Sequence, residues 1–242
     1  MLSWFRVTAL SCLLLIAGVT AGTADDQTTA PPPGAADSGA TTTPAPAPDA
    51  ATPPPSDTVD TAQLMIPGPL KEMTLGDPAA PVKVVEYASM TCPHCARFAN
   101  ETFDAFKAKY IDTGKVFYIL REFPLDQLAL VAIMGARCAP EDNFFPIVAK
   151  LFREQPDWAF VDDPAPPLMA RLADEGLTAD AFKACIADQK LAENIVSIEK
   201  RGAETFGVNG TPTFFFNGKK RMGELTMAEV DAMIEPLLKP SE

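Results

Sequence analysis

The pattern of apolar and polar residues predicts a strand, helix and strand in the middle of the chain. The run Val82–Ala88, which follows Pro81, is rich in β-branched and aromatic residues and predicts a buried strand. From residue 95 to residue 110, apolar residues recur at spacings of three and four, which predicts an amphipathic helix. Residues 115–123 form a second apolar strand, which ends at Pro124. This order predicts a right-handed βαβ unit with two parallel strands.

The segments on either side predict an edge strand and a helical insertion. Residues 70–78 have the pattern of a short edge strand closed by a turn. From about residue 126 to about residue 206 the sequence has helical periodicity and no strand pattern, with Pro and Gly between the periodic segments. The predicted helices of this insertion cover residues 128–138, 144–152, 168–177, 181–187 and 191–206.

After the insertion the sequence returns to a strand pattern. Residues 213–216 and 219–222 are predicted to pair as a hairpin, because the Asn217-Gly218 pair between them favours a type I′ turn. Thr226 and Glu229 have the spacing of a capping box, which predicts a last helix ending near residue 238.

The N-terminal part of the chain carries no pattern typical of a folded domain. Residues 1–24 contain a positive charge, an apolar run and then small residues, which predicts a Sec-type signal peptide. Cys12 lies inside that apolar run and is excluded from the fold. Residues 25–64 are rich in Pro, Ala and Thr and predict a disordered linker, which would act as a membrane tether if the signal were retained. Residues 65–242 are then expected to form one domain in a periplasmic protein.

Charge and composition exclude some classes of partner. The net charge is −12 and the sequence has no basic run, which argues against binding to nucleic acid or to anionic lipid surfaces. Export would place the cysteines in an oxidising compartment. With Cys12 set aside, an even number of cysteines is left in the domain.

The sequence Cys92-Pro93-His94-Cys95 is the main candidate for chemistry. It lies where a predicted strand ends and a helix begins, so unpaired backbone N–H groups and the helix dipole would stabilise a Cys92 thiolate. A protonated His94 would lower the Cys92 pKa further, and Pro93 suits a first helical turn. A zinc site is disfavoured because zinc takes four ligands and the chain has one His. A purely structural disulfide is disfavoured because so short a loop constrains the unfolded chain little, so the redox interpretation is preferred, without metal or cofactor.

Cys138 and Cys185 lie 47 positions apart, both in apolar settings within the predicted insertion. We expect a second disulfide that stabilises the insertion, because the compartment is oxidising. The alternative is two buried free thiols that pack as small hydrophobic side chains.

The Cys-Pro-His-Cys motif after a strand, the helical insertion and Thr211-Pro212 before the Asn-Gly hairpin resemble the DsbA-like thiol:disulfide oxidoreductases of the thioredoxin superfamily. The resemblance implies an α/β thioredoxin-like fold, a central mixed sheet with an inserted helical subdomain. It also implies that Pro212 is cis and that the Thr211 backbone pairs with an extended substrate. Glu86 stands where the family carries a buried acid, which would accept the proton of Cys95. A structural Glu86, paired with Arg121, is the alternative.

The activity implied by this resemblance is a dithiol oxidase that introduces disulfides into exported proteins with free cysteines. A client thiolate would attack the exposed Cys92 sulfur, and a membrane protein resembling DsbB would reoxidise the enzyme. Thr211 keeps an isomerase or reductase open, because Thr precedes the cis-Pro in isomerases of the superfamily. Two further alternatives are a copper or zinc module using Cys92, His94 and Cys95, and a client-binding chaperone.

Overall fold

The computed structural model describes residues 58–239, so the predicted signal peptide and most of the predicted linker lie outside the described residues. Thr58 forms an isolated bridge with Lys219, and a short helix, α1 (Thr61–Leu64), follows. Leu64 is only 1% exposed and packs in an apolar cluster. The ordered part of the domain therefore begins before the predicted end of the linker at residue 64, because Val59 and Leu64 pack on the domain.

A five-stranded mixed sheet forms the centre of the domain, in the order β1-β3-β2-β4-β5. The pair β2 and β3 is parallel, as predicted for the βαβ unit, and the other neighbouring pairs are antiparallel. The predicted edge strand is real but shorter than expected. The strands are β1 (Met73–Leu75), β2 (Val82–Ala88), β3 (Val116–Glu122), β4 (Thr213–Phe216) and β5 (Lys219–Met222).

The register of the sheet brings two distant loops together. In the antiparallel pair of β2 and β4, Tyr87 lies opposite Thr213. The carboxyl end of β2 and the amino end of β4 are therefore at the same end of the sheet. As a result, the segment after β2, which contains Cys92, lies beside the segment before β4, which contains Pro212.

The helix after β2 is not the uninterrupted α-helix that the periodicity predicts. It runs as α2 (Pro93–Arg97), a π-helical turn (Phe98–Thr102), α3 (Phe103–Phe106) and a second π-helical turn (Lys107–Ile111). Each π-helical turn holds extra backbone relative to an α-helix and is frequent at functional sites. The apolar face nevertheless points to the core, and Phe98, Phe106 and Tyr110 are buried.

The predicted helical insertion is confirmed as a set of helices after β3. The helices are α4 (Gln127–Cys138), α5 (Phe144–Arg153), α6 (Ala165–Asp174), α7 (Ala179–Ile186) and α8 (Gln189–Phe206), followed after the hairpin by α9 (Met227–Leu238). No helix between residues 58 and 239 is long and apolar enough to cross a membrane.

The end of the insertion differs from the prediction, because α8 is also a layer of the central fold. Ile198 and Phe206 of α8 pack with Val85 and Tyr87 on one face of the sheet. A Cβ atom at Gly202 would lie 2.7 Å from the Tyr87 ring, so the glycine allows this close approach. The insertion that stands apart from the sheet therefore comprises α4 to α7.

The predicted turn and cap are present. Asn217 and Gly218 have φ angles of 45° and 86°, as a type I′ turn requires. The Thr226 side chain accepts a hydrogen bond from the Glu229 N–H, and the Glu229 side chain accepts one from the Thr226 N–H, which is a capping box at the start of α9.

A disulfide joins Cys138 at the end of α4 to Cys185 in α7. It closes a loop with a sequence separation of 47 residues, so it restricts the unfolded chain substantially. The alternative of two free thiols does not hold in this structure.

Removing this disulfide should destabilise the domain. Because chain-entropy loss grows with loop length, replacing Cys138 and Cys185 by Ser together should lower the free energy of unfolding by about 4 kcal/mol. Urea unfolding of the variant and the wild type measures this difference. The Cys92→Ser variant is the matched control for loss of a thiol, and a loss below about 1 kcal/mol in the double variant would contradict the entropic account.

Candidate active site

Cys92 is the N-cap residue of α2, with φ −80° and ψ 118°, and Pro93 occupies the first turn of that helix. Pro93 fits there because the first N–H of a helix has no partner within the helix. The Gln155 side chain, in the segment after α5, donates to the carbonyl oxygens of Met90 at 2.8 Å and Cys92 at 3.1 Å. The insertion therefore holds the backbone of the cysteine loop directly.

The surroundings of Cys92 stabilise its thiolate form. A hydrogen bond from Cys95 is the largest influence that lowers its pKa, to about 5, against the opposing effect of burial. The Thr211 side chain and the backbone N–H groups of Cys95 and His94 lower the pKa further. The backbone groups of the first helical turn thus act as expected for a cysteine at a helix start.

The Cys92 sulfur is less accessible than the sequence predicts. The residue is only 4% exposed, whereas an exposed sulfur was expected. Its Sγ lies 3.1 Å from the Thr211 carbonyl oxygen, to which the thiol donates. The segment before β4 therefore covers the sulfur, and a client must approach along that segment.

Cys95 has the opposite character. It is fully buried, and burial raises its pKa well above the ordinary value, with further increases from the neighbouring Cys92 and from Glu86. The pair therefore consists of one sulfur that favours the thiolate and one that favours the thiol.

Glu86 lies beneath the pair on the sheet, 3% exposed. Burial raises its pKa to about 8, partly offset by a hydrogen bond of 2.6 Å from the Tyr118 hydroxyl. It lines a cavity of about 580 Å³ between the active-site helix and α5, together with Tyr118 and four phenylalanine rings. These rings are Phe98, Phe103, Phe145 and Phe152.

The alternative pairing of Glu86 with Arg121 is wrong. Arg121 donates to Glu72 at 3.0 Å and to the Tyr87 hydroxyl at 3.1 Å. In the sheet register Arg121 lies opposite Tyr87, whereas Glu86 is opposite Leu120. Since side chains alternate between the two faces of a strand, Arg121 and Glu86 point to opposite faces.

The Thr211–Pro212 peptide bond is cis. The Thr211 hydroxyl is buried. The Thr211 side chain is one of the groups that lower the Cys92 pKa. The Pro212 carbonyl oxygen accepts a hydrogen bond of 2.9 Å from the Gly223 N–H. The segment before β4 is thus held between the hairpin and the cysteine loop.

His94 is exposed and contacts a residue that the sequence did not suggest. Its Nδ1 lies 2.8 Å from Glu224 Oε2 and 2.6 Å from the Arg97 guanidinium. Glu224 is 130 positions from His94 in the sequence and Gln155 is 63 positions from Cys92, so no local pattern marks either residue. Within residues 58–239, no group of three His, Cys, Asp or Glu side chains is placed to hold a metal ion.

Comparison with known proteins agrees with this geometry. The protein-family profile described as Thioredoxin matches residues 70–236. A Rickettsia bellii protein with the provisional name protein-disulfide oxidoreductase is 34% identical over 148 residues, which are 61% of this chain and 57% of the relative. A Rickettsia typhi protein of the same name is 36% identical over 148 residues, 61% of this chain and 55% of that relative. The chain thus spans little more than half the length of these curated relatives.

Among solved structures, Wolbachia pipientis alpha-DsbA1 has a TM-score of 0.67 and 33% identity, covering 74% of this chain and 96% of that one. A protein-disulfide isomerase of Novosphingobium aromaticivorans has a TM-score of 0.62 over 69% of this chain and 98% of its own, but at 22% identity it shows the fold alone. On the extent of the profile match and of the alpha-DsbA1 match, the chain belongs to the DsbA-like group of the thioredoxin family.

Proposed function

We propose that this protein is an exported thiol:disulfide oxidoreductase that introduces disulfides into other exported proteins. The observation that carries the proposal is the asymmetry of the cysteine pair. Cys92 has a pKa lowered to about 5, and Cys95 has a raised pKa. A thiolate that is stabilised in the reduced protein makes the disulfide form a strong oxidant.

In the first proposed step, a client thiolate attacks Cys92 Sγ of the oxidised pair. The Cys92–Cys95 bond breaks, a mixed disulfide forms, and Cys95 leaves with the bond electrons. Because burial raises the pKa of Glu86 to about 8, its carboxyl is protonated near neutral pH and is the proposed proton donor to Cys95. In the reverse direction, during reoxidation, Glu86 accepts that proton.

In the second step, another client thiolate attacks the client sulfur of the mixed disulfide and expels Cys92 as a thiolate. The client gains one disulfide, and the enzyme retains two electrons as a Cys92 thiolate and a Cys95 thiol. The low Cys92 pKa makes this sulfur a good leaving group.

The proposed client site is the backbone beside Cys92. The Thr211 carbonyl oxygen, 3.1 Å from the sulfur, lies where an extended client segment would form a short β-like pairing. The proposed partners are exported proteins with free cysteines and a DsbB-like membrane protein that removes the two electrons. A periplasmic location follows from the predicted signal peptide and is part of the proposal.

Oxidative refolding of reduced ribonuclease tests the proposal. The oxidised protein should restore ribonuclease activity without another oxidant. The reduction potential of the Cys92–Cys95 pair, measured against glutathione, should be about −120 mV, a value typical of DsbA. The Cys92→Ser variant should be inactive. The Cys95→Ser variant, loaded beforehand as a mixed disulfide of Cys92 with glutathione, should exchange glutathione for the client thiol and accumulate a mixed disulfide with the client.

The isomerase alternative gives a different result in the same system. A potential near about −200 mV, together with efficient recovery of scrambled ribonuclease by the reduced protein, would favour an isomerase or reductase. Thr211 is the feature that keeps this alternative open, because Thr also precedes the cis-Pro in isomerases of the superfamily.

Replacing Glu86 by Gln should stabilise the reduced protein increasingly as the pH rises. The folded-state pKa is raised, so the stabilising proton is fully bound below 4.5 and is lost as the pH rises towards about 8. Across this window the gain of the Glu86→Gln variant over wild type should grow by up to about 1.36 kcal/mol per pH unit. Urea unfolding at a series of pH values measures it.

Tyr118→Phe is the matched variant for this experiment. It keeps the ring but removes the hydrogen bond that lowers the Glu86 pKa. The Glu86 pKa should therefore be higher in this variant, and the free energy of unfolding should fall more with rising pH than it does in the wild type. In the refolding assay, Glu86→Gln should slow formation of the mixed disulfide, because the proton donor to the leaving Cys95 sulfur is gone. A stability difference that does not vary with pH would refute the buried, protonated Glu86.

A further inference from the structure

His94 of the Cys-Pro-His-Cys motif forms a cluster with the charged side chains of Arg97 and Glu224. One oxygen of Glu224, Oε2, lies 2.8 Å from His94 Nδ1 and accepts a hydrogen bond of 2.7 Å from Arg97 Nε. The other side of the Arg97 guanidinium lies 2.6 Å from the same His94 nitrogen. His94 and Arg97 come from α2, whereas Glu224 comes from the segment between β5 and α9.

The backbone on either side of Glu224 is also attached to the active site. The Gly223 N–H donates to the carbonyl oxygen of Pro212 at 2.9 Å. The Leu225 carbonyl oxygen accepts a buried hydrogen bond of 2.8 Å from the Thr102 hydroxyl in the active-site helix. Residues 223–225 therefore connect the cis-Pro segment to the cysteine helix, and the backbone of Glu224 is held between them.

The proton on His94 decides which neighbour it contacts. With a proton on Nδ1, the ring donates to the Glu224 carboxylate; without one, the nitrogen accepts from Arg97. It does not do both at once. In either state Arg97 keeps its hydrogen bond from Nε to Glu224, so the carboxylate remains paired with at least one cation.

The cluster belongs to the helix that Cys92 caps, because His94 and Arg97 follow Cys92 by two and five residues in α2. The pKa of Arg97 is raised first by its hydrogen bond to Glu224, and also by the charge of the Cys92 thiolate. Arg97 is therefore an attractive charge for the thiolate, and Glu224 neutralises part of that charge. His94 likewise contacts the Glu224 carboxylate and not the Cys92 sulfur.

We propose that Glu224 is a positioning residue that holds His94 and Arg97 in one ion-pair cluster and so limits the oxidising strength of the Cys92–Cys95 disulfide. The inference rests on the proposed function, since it concerns the same cysteine pair. A residue outside the Cys-Pro-His-Cys motif would thus tune the oxidising strength of the disulfide.

The direction of the effect follows from charge. Replacing Glu224 by Gln removes a negative charge and leaves the Arg97 cation unpaired near Cys92. The reduced form, which carries the thiolate, is stabilised relative to the disulfide form. The equilibrium constant for forming the enzyme disulfide from glutathione disulfide should fall about threefold, which corresponds to roughly 14 mV towards a stronger oxidant.

Equilibrium titration of the full protein against glutathione tests this proposal. The variants are Glu224→Gln, the matched control Glu101→Gln, and Arg97→Gln. Glu101 is an exposed carboxylate whose charge also acts on Arg97 but which makes no hydrogen bond to it in this structure. We expect a threefold fall for Glu224→Gln, a smaller change for Glu101→Gln, and a rise for Arg97→Gln.

A double variant separates tuning from a general effect of charge or stability. In the Arg97→Gln background, the Glu224→Gln change should have a much smaller effect, because the cation that it frees is absent. Thermal unfolding should be nearly unchanged in all these variants. A Glu224→Gln constant equal to that of wild type, or of Glu101→Gln, would overturn the proposal.

These outcomes are distinguishable from failure of the proposed function. Absence of ribonuclease oxidation by the wild type would refute the oxidase activity. The glutathione equilibrium would still report whether Glu224 tunes the cysteine pair.

Discussion

The interaction on which the site depends is the hydrogen bond between the two active-site sulfurs. It places negative charge on Cys92 and a proton on Cys95, and it is the largest influence lowering the Cys92 pKa. This division needs two different environments within one helical turn. Cys92 is at the start of α2, where backbone N–H groups are free, whereas Cys95 faces the core. Burial by itself would raise both pKa values, so the hydrogen bond from Cys95, together with the free N–H groups and the Thr211 side chain, makes the difference.

The rest of the fold keeps this arrangement in place. The register of β2 against β4 sets the Thr211–Pro212 segment beside Cys92, and Gln155 attaches the helical insertion to the carbonyl oxygens of the cysteine loop. Buried ion pairs attach the insertion further, as with Arg137 of α4 and Glu122 of β3. Glu86 and Tyr118 share the face of the sheet below the pair and open onto one cavity, which gives the buried carboxyl an apolar but reachable setting.

Features encoded by neighbouring residues were predictable from the sequence. The bounds of β2, the Asn217-Gly218 turn and the capping box at Thr226 depend on local patterns and match the structure. Features that depend on long-range contacts were not. The π-helical turns, the position of α8 on the sheet, and the packing of residues 58–64 arise from tertiary contacts that no local pattern encodes.

The same distinction applies to the site. The motif names Cys92 and Cys95, but their hydrogen-bonding partners come from remote segments. Glu224 and Gln155 are polar residues in unremarkable surroundings, and only the fold brings them to the motif. The alternative that paired Glu86 with Arg121 was wrong because it rested on charge, whereas strand alternation places Tyr118 on the correct face.

The most direct test of this account is a pH titration of the Cys92 thiolate, followed by its ultraviolet absorbance in the reduced Cys95→Ala variant, which has no donor at that position, and in the reduced wild type. The account predicts a wild-type pKa near 5 and a clearly higher value once the Cys95 thiol is replaced. A wild-type pKa near the ordinary value of 9.0 would contradict it, because the proposed leaving group and oxidising disulfide both require the stabilised thiolate.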